Sequence, residues 1–133
     1  MTQEEKDLLL KDLCSRLPYG VKVQIDLQSD IYPPMICKVC NIEFTEMGGS
    51  FIGVEVLPDS YSEYREFLCK PYLFPFSSLT IEQEKELSKL KSPKNCTLDE
   101  AYIFFEYCYK HHIDFLGLIE MGLALDATNL NIY

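Results

Sequence analysis

Residues 97–127, TLDEAYIFFEYCYKHHIDFLGLIEMGLALDA, constrain this chain more than any other stretch, because a helix start, a wide apolar stripe and both histidines fall within it. Thr97 followed by Glu100 is a capping-box pattern, in which the hydroxyl takes an amide of the first turn and the carboxylate reaches back to the cap amide. Asp99 and Glu100 also put negative charge at the positive end of the helix dipole. Leu98, Ala101, Tyr102, Phe105, Cys108, Tyr109 and His112 then recur at three- and four-residue spacing. Phe104 and Tyr107 widen that stripe, which predicts a helix covered on more than one side. Asp114 is expected to start a second, shorter helix through Phe115, Leu118, Ile119 and Met121, with Gly122 as its left-handed terminator. Such a helical hairpin needs an apolar partner, and the expected partner is a sheet.

The preceding residues supply the sheet. Thr2 and Glu5 form another capping box, followed by Leu9, Leu10, Leu13, Cys14 and Leu17 along one side of a helix that Pro18 and Gly20 close. Over residues 21–28, Val21, Val23, Ile25 and Leu27 alternate with Lys22, Gln24, Asp26 and Gln28, the pattern of a strand with one buried and one wet face. Ser29 and Asp30 mark a turn, and Pro33 and Pro34 hold the next segment extended. Residues 35–44 and 50–57 read as strands joined by a hairpin loop at Glu46, Met47, Gly48 and Gly49. Polar, tyrosine-bearing residues 58–66 read as a surface loop. Residues 67–76 carry Pro71 and Pro75, which suit an edge strand or a buried extended segment. Thr80 with Gln83 caps a helix over 81–91 whose large apolar residues are Ile81, Leu87 and Leu90, a surface helix. Residues 92–95 link it to the central hairpin, and the tail after Ala127 frays or adds a short strand. The expected fold is a single α+β domain over residues 1–133. It has an N-terminal helix, a small antiparallel sheet of three or four strands, and C-terminal helices packed on one sheet face.

Charge and composition narrow the class of function. The net charge of −9 lacks the basic footprint that releases phosphate counterions, so direct nucleic-acid binding is not expected. The first residues carry no apolar core of a secretory leader. The apolar run at 116–125 is short and contains Glu120, so no membrane span is expected and a cytoplasmic protein is. In that setting the six cysteines are expected to be reduced thiols rather than a disulfide framework.

Cys37 and Cys40 have the spacing of a zinc or redox pair. Ile36, Val39 and Ile42 make their surroundings a strand, which turns the two thiols to opposite faces, so neither metal nor cofactor is expected there. On a helix His111 and His112 cannot face the same way: the stripe puts His112 inward and His111 in solvent. With Asp114 and Glu120 nearby, an acid–base pair can be drawn, but a helix cap and a core imidazole explain the same residues. Among the motifs of nucleophile elbows, phosphate loops, dinucleotide sites and two-histidine metalloproteases, none occurs in the sequence. Tyr61, Tyr64, Tyr72 and Phe74 gather around the prolines of 58–76, which suits a protein-binding surface, although covering the rim of a small core is the commoner role of such residues.

Three blocks occur together: LPYGV at 17–21, KPYLFPFSSLT at 70–80 and HIDFLGLIEMGLALDA at 112–127. In this combination the chain resembles a family of small uncharacterised proteins encoded by phages, prophages and mobile elements of gut anaerobic bacteria. The resemblance implies such an origin and carries no activity. Members tend to have arginine where Phe74 and Leu116 stand here, so any ligand those arginines bind has lost its contact in this chain.

Two functions compete. The first is a non-enzymatic accessory protein acting by protein–protein contact, as a homodimer or with another protein, through Tyr61, Tyr64, Tyr72 and Phe74. The second is a small-ligand or nucleotide-binding module, or weak enzyme, with a pocket near His112 and Asp114.

Overall fold

A computed structural model describes residues 1–46, 49–90 and 97–133. The elements run α1 (Gln3–Arg16), β1 (Lys22–Ile25), β2 (Met35–Phe44), β3 (Ser50–Leu57), β4 (Ser60–Arg65), β5 (Cys69–Leu73), α2 (Ile81–Lys89), α3 (Leu98–Lys110) and β6 (Leu125–Asp126). The strands form one six-stranded sheet in the order β4-β3-β2-β1-β5-β6. All neighbours are antiparallel except β5 and β6, which run parallel. The fold is α+β as expected, with a sheet larger than the three or four strands read from the sequence.

Alternation in the strands decides what is buried. Val23 and Ile25 of β1, Cys37 and Val39 of β2, Ile52 and Val54 of β3 and Cys69 of β5 turn to one face. There they pack with Leu9, Leu10 and Leu13 of α1. The helix covering this face is thus α1, not the C-terminal pair. Its Thr2 capping box is formed in both directions, and Gly20, at φ 71°, closes the short 3₁₀ turn Leu17–Tyr19 that follows it. Leu73, Leu118, Leu123 and Ala124 form a second apolar cluster, against which Leu8 and Ile119 pack.

Residues 58–66 are not a surface loop. Leu57 pairs with Ser60 across a two-residue turn, where Pro58 is followed by Asp59 at φ 60°, and β4 returns along β3 as the sheet's edge. An edge strand needs few apolar residues, which is why SYSEYR reads as loop. Nor is β5 at the edge. It lies between β1 and β6 with Pro71 opposite Val23. Proline is tolerated because β6 pairs only with Tyr72 and Leu73, leaving Pro71 without a β6 neighbour.

The expected second helix does not form. Both oxygens of Asp114 are taken by amides, Leu118 N donating to Oδ1 (2.8 Å) and Ile119 N to Oδ2 (2.9 Å). Gly117, at φ 76°, turns the chain out of the right-handed region between them. Residues 115–124 are therefore a series of turns, although Gly122 does adopt the expected positive φ of 77°. The surface character expected for α2 holds, none of its residues being buried. The hairpin residues Met47 and Gly48, Lys91 at the expected end of α2, and the 92–95 link lie outside the described residues.

Across the β-irregularity between Val39 and Asn41, the Asn41 side chain lies over Gly53 of β3. A Cβ at position 53 would stand 1.7 Å from Asn41 Oδ1 and 2.8 Å from its Cγ. Gly53→Ala is therefore expected to destabilise the fold by about 1–3 kcal/mol. Adding Asn41→Ala should recover most of that loss, as a double-mutant cycle of urea denaturation midpoints would measure.

Candidate functional site

The polar groups of the molecule converge where α1 meets the end of α3, around a residue that the hydrophobic pattern does not single out. Arg16 is fully buried at the last turn of α1, one helical turn beyond the equally buried Asp12. Its Nε donates to Asp12 Oδ2 at 2.8 Å, its Nη1 to Cys108 O at 3.3 Å and its Nη2 to Ile113 O at 2.7 Å. The rings of Tyr109 and Phe115 stand 5.3 and 6.0 Å from the guanidinium carbon. One cation thus neutralises a carboxylate, satisfies carbonyls at the end of α3, and fixes the turn after it. Burial raises the Asp12 carboxyl above its ordinary value despite Arg16 beside it, and Asp114 adds to the rise. Among the described residues Asp12 Oδ1 has no hydrogen-bond partner.

His112 and Asp114 enter this centre from the chain after α3. His112 holds a left-handed backbone at φ 57°. Phe74 N donates to its carbonyl (2.8 Å), and Asp114 N donates to Phe74 O (2.9 Å), so the segment continues the edge of β5 as a parallel bridge between Phe74 and Ile113. The imidazole is buried, as the helical stripe implied, and Tyr133 lies flat on it with ring centroids 3.8 Å apart and planes 14° from parallel. Tyr133 is held in turn: Lys22 N donates to its hydroxyl oxygen (2.9 Å) and the hydroxyl donates to Tyr72 O (2.7 Å). Lys22 Nζ also donates to Ile132 O. Burial, and next the positive charges of Arg16, His111 and Lys22, push the His112 imidazole down to about 4. Among the described residues His112 Nδ1 has no hydrogen-bond partner. Tyr133 thus covers one face of the imidazole, and each Asp114 oxygen accepts from a backbone amide. The hollow beside Asp114, about 350 Å³, is shared with Pro75, Phe76, Phe115, Gly117 and Glu120.

The four aromatic candidates do not gather on one surface. Tyr61 and Tyr64 lie on β4 at one edge of the sheet, on opposite faces: Tyr61 is exposed and Tyr64 packs at the margin of the core. Tyr72 and Phe74 lie beyond β1 on the other side, Tyr72 buried and Phe74 tilted against Tyr133 with centroids 5.9 Å apart. Proximity in sequence placed them together; the sheet order separates them. Cys37 is buried and Cys40 exposed, as strand alternation requires. Among the described residues no group of three or more His, Cys, Asp or Glu is placed to hold a metal ion, and no helix is long and apolar enough to cross a membrane.

The surface feature that sequence reasoning misplaced is α3 itself. Of its residues only Cys108 is buried. Leu98 is 87% exposed, Tyr102 70% and Ile103 51%. Beside Tyr102 runs a hollow of about 420 Å³ between α1 and α3, lined also by Cys14, Pro18, Tyr19, Phe105 and Tyr109 among others, while Ile103 faces a smaller hollow shared with Lys89 and Leu90. The 3.6-residue period grouped these residues on one helix, but among the described residues none covers Leu98 or Tyr102 at its start. A signal for the Arg16 centre was present: Asp12 and Arg16 stand four apart on the same side as Leu9 and Leu13, where two charges survive only as a buried pair.

No protein-family model, curated protein or solved structure matches this chain.

Two outcomes follow from the buried centre. Arg16→Met leaves Asp12 uncompensated and is expected to cost about 3–5 kcal/mol. The double variant Asp12→Leu/Arg16→Met should be the more stable of the two, measured by guanidinium denaturation. His112 has a folded value below its unfolded value of about 6.5, so the unfolded chain binds the extra proton between that pH and about 4. Its contribution to stability is present above pH 6.5 and is lost as pH falls toward 4, by about 2 kcal/mol allowing for solvent screening. In His112→Phe, which keeps a ring for Tyr133, the slope of stability against pH across that window should flatten relative to the parent.

Proposed function

We propose that this protein is a non-enzymatic accessory protein, of phage or mobile-element origin, that acts by binding another protein. The observation that carries this reading is the exposure, among the described residues, of Leu98, Tyr102 and Ile103 on α3, with Tyr102 at the rim of an aromatic-lined groove. Scattered exposed apolar residues are ordinary, but three on two turns of one helix, one of them at the rim of a concave hollow, suit a partner's apolar anchor. The Tyr61, Tyr64, Tyr72 and Phe74 surface expected from the sequence gives way to this one, because those residues lie on two sides of the sheet. Asp99 and Glu106 are exposed on α3, and with a net charge of −9 they favour a partner whose anchor is rimmed by basic residues. A small-ligand site near His112 and Asp114 is the weaker alternative, since Asp114 is engaged by backbone amides and His112 is covered by Tyr133.

The test is site-specific photo-crosslinking in the host from a benzophenone residue at position 102, with position 82 on α2 as control. A discrete protein adduct from position 102 alone is the expected result, and adducts from neither position overturn the reading. With the captured partner purified, Tyr102→Glu should weaken binding by roughly thirtyfold, about 2 kcal/mol, as truncating a central anchor does. Its melting temperature should stay unchanged, because the side chain is exposed.

A further inference from the structure

We propose that β4 is a self-pairing edge, through which a second copy of this chain extends the sheet antiparallel about a two-fold axis at Ser62. The two edges of the sheet are unlike. On one side β6 is two residues long, and past it the chain turns back with Ala127 N bonded to Leu73 O at 2.8 Å. On the other, β4 presents six residues with β3 as its only sheet neighbour. Open edges of that length are ordinarily blunted by proline, lysine, a bulge or an inward-pointing charge. β4 contains neither proline nor lysine, and the irregularity beside it displaces the β3 strand at Glu55 and Leu57. Its core-side positions, Ser62 and Tyr64 opposite Val54 and Ile52, carry no charge.

Charge and register select a second copy and one way of docking it. A two-fold axis perpendicular to the sheet keeps each copy's core side on the same face, so residues of equal parity must stand opposite one another. An axis at Glu63 puts Glu63 on Glu63, and an axis at Tyr61 puts Asp59 on Glu63, both like-charge pairs. An axis at Tyr64 runs the strand into the 3₁₀ turn Glu66–Leu68. An axis at Ser62 overlaps residues 60–64 of β4. It sets Ser62 against Ser62, Ser60 against Tyr64 and the Tyr61 hydroxyl against the Glu63 carboxylate. At each end it brings Asp59 to Arg65, a pair of opposite charges. Tyr61, 62% exposed in the single chain, gains a cross-strand partner. This surface is separate from α3, whose trailing segment joins the sheet beyond β5 at Phe74, so the two can succeed or fail independently.

The experiment uses the full chain with Cys14, Cys40 and Cys96 replaced by serine. Opposed residues of an antiparallel pair have Cα atoms about 4.5–5.5 Å apart, within disulfide reach. Under mild oxidation Ser62→Cys should therefore give a covalent dimer, several-fold faster than Glu63→Cys. Sedimentation of the parent should show a concentration-dependent dimer that Ser62→Lys abolishes and Tyr102→Glu leaves intact. A monomer at every concentration overturns the proposal, including one whose edge accepts a strand of another protein. So does equal crosslinking at positions 62 and 63, or a dimer that Tyr102→Glu dissociates.

Discussion

The buried guanidinium of Arg16 does what apolar packing does elsewhere in this protein. Sheet and α1 are joined by an apolar cluster that runs from Leu9 and Leu13 through β1, β2 and β3. Helix α3 brings a single buried residue, Cys108, to the remainder of the chain. Beside the ring contacts of Phe105 and Tyr109 with Phe115, its end is fixed by Arg16, which joins the end of α1 to the carbonyls of Cys108 and Ile113. Five donors in a planar fork suit arginine to that task, and lysine could not reach the same acceptors together. The position of the 112–114 segment against Phe74, and with it the stacking of Tyr133 on His112, is referred to the same cation. A second buried ion pair works at the opposite corner. Burial alone would raise the Glu66 carboxyl, but Lys6 at 2.7 Å together with the Ser50 hydroxyl and amide hold it down at about 2. It ties the start of α1 to the turn between β4 and β5.

Where one face of an element is buried and the other wet, the amino-acid pattern was enough. Val23 and Ile25 against Lys22 and Gln24 defined β1, though only Lys22–Ile25 of the expected 21–28 run pairs. The two long central strands and all three cap threonines were equally legible, because their signals are local. Elements that depend on a neighbour were not. β4 is a strand because β3 offers it a ladder, and β6 exists only because β5 reaches it. The second helix failed on a local detail of the opposite kind: Asp114 spends both oxygens on amides four and five residues ahead, and Gly117 takes a positive φ between them.

The site was less legible than the fold, for a related reason. A helical period says which residues share a face, not whether anything covers them. The stripe from Leu98 to His112 is one such face: Cys108 and His112 are buried at its end while Leu98 and Tyr102 stand in solvent at its start. His112 is buried as the spacing suggested, but from a left-handed turn beyond the end of α3 rather than from the helix itself. Its partner Tyr133 and the buried charges around it belong to segments far away in the chain, which periodicity cannot bring together.

The strand order carries a consequence for how the chain assembles. β2, β3 and β4 are joined by short connections into a meander, and such local pairings close quickly. β1 and β5 meet only after that whole meander has been made, since it lies between them in the sequence, and β6 adds to β5 across two helices. Loop-closure entropy then makes the β1–β5 pairing the slow step, and the parallel bridge at Ile113 a late one. The centre around Arg16, Asp12 and His112 is therefore expected to exclude water late in folding, because the C-terminal third must arrive before the charges of α1 can be buried.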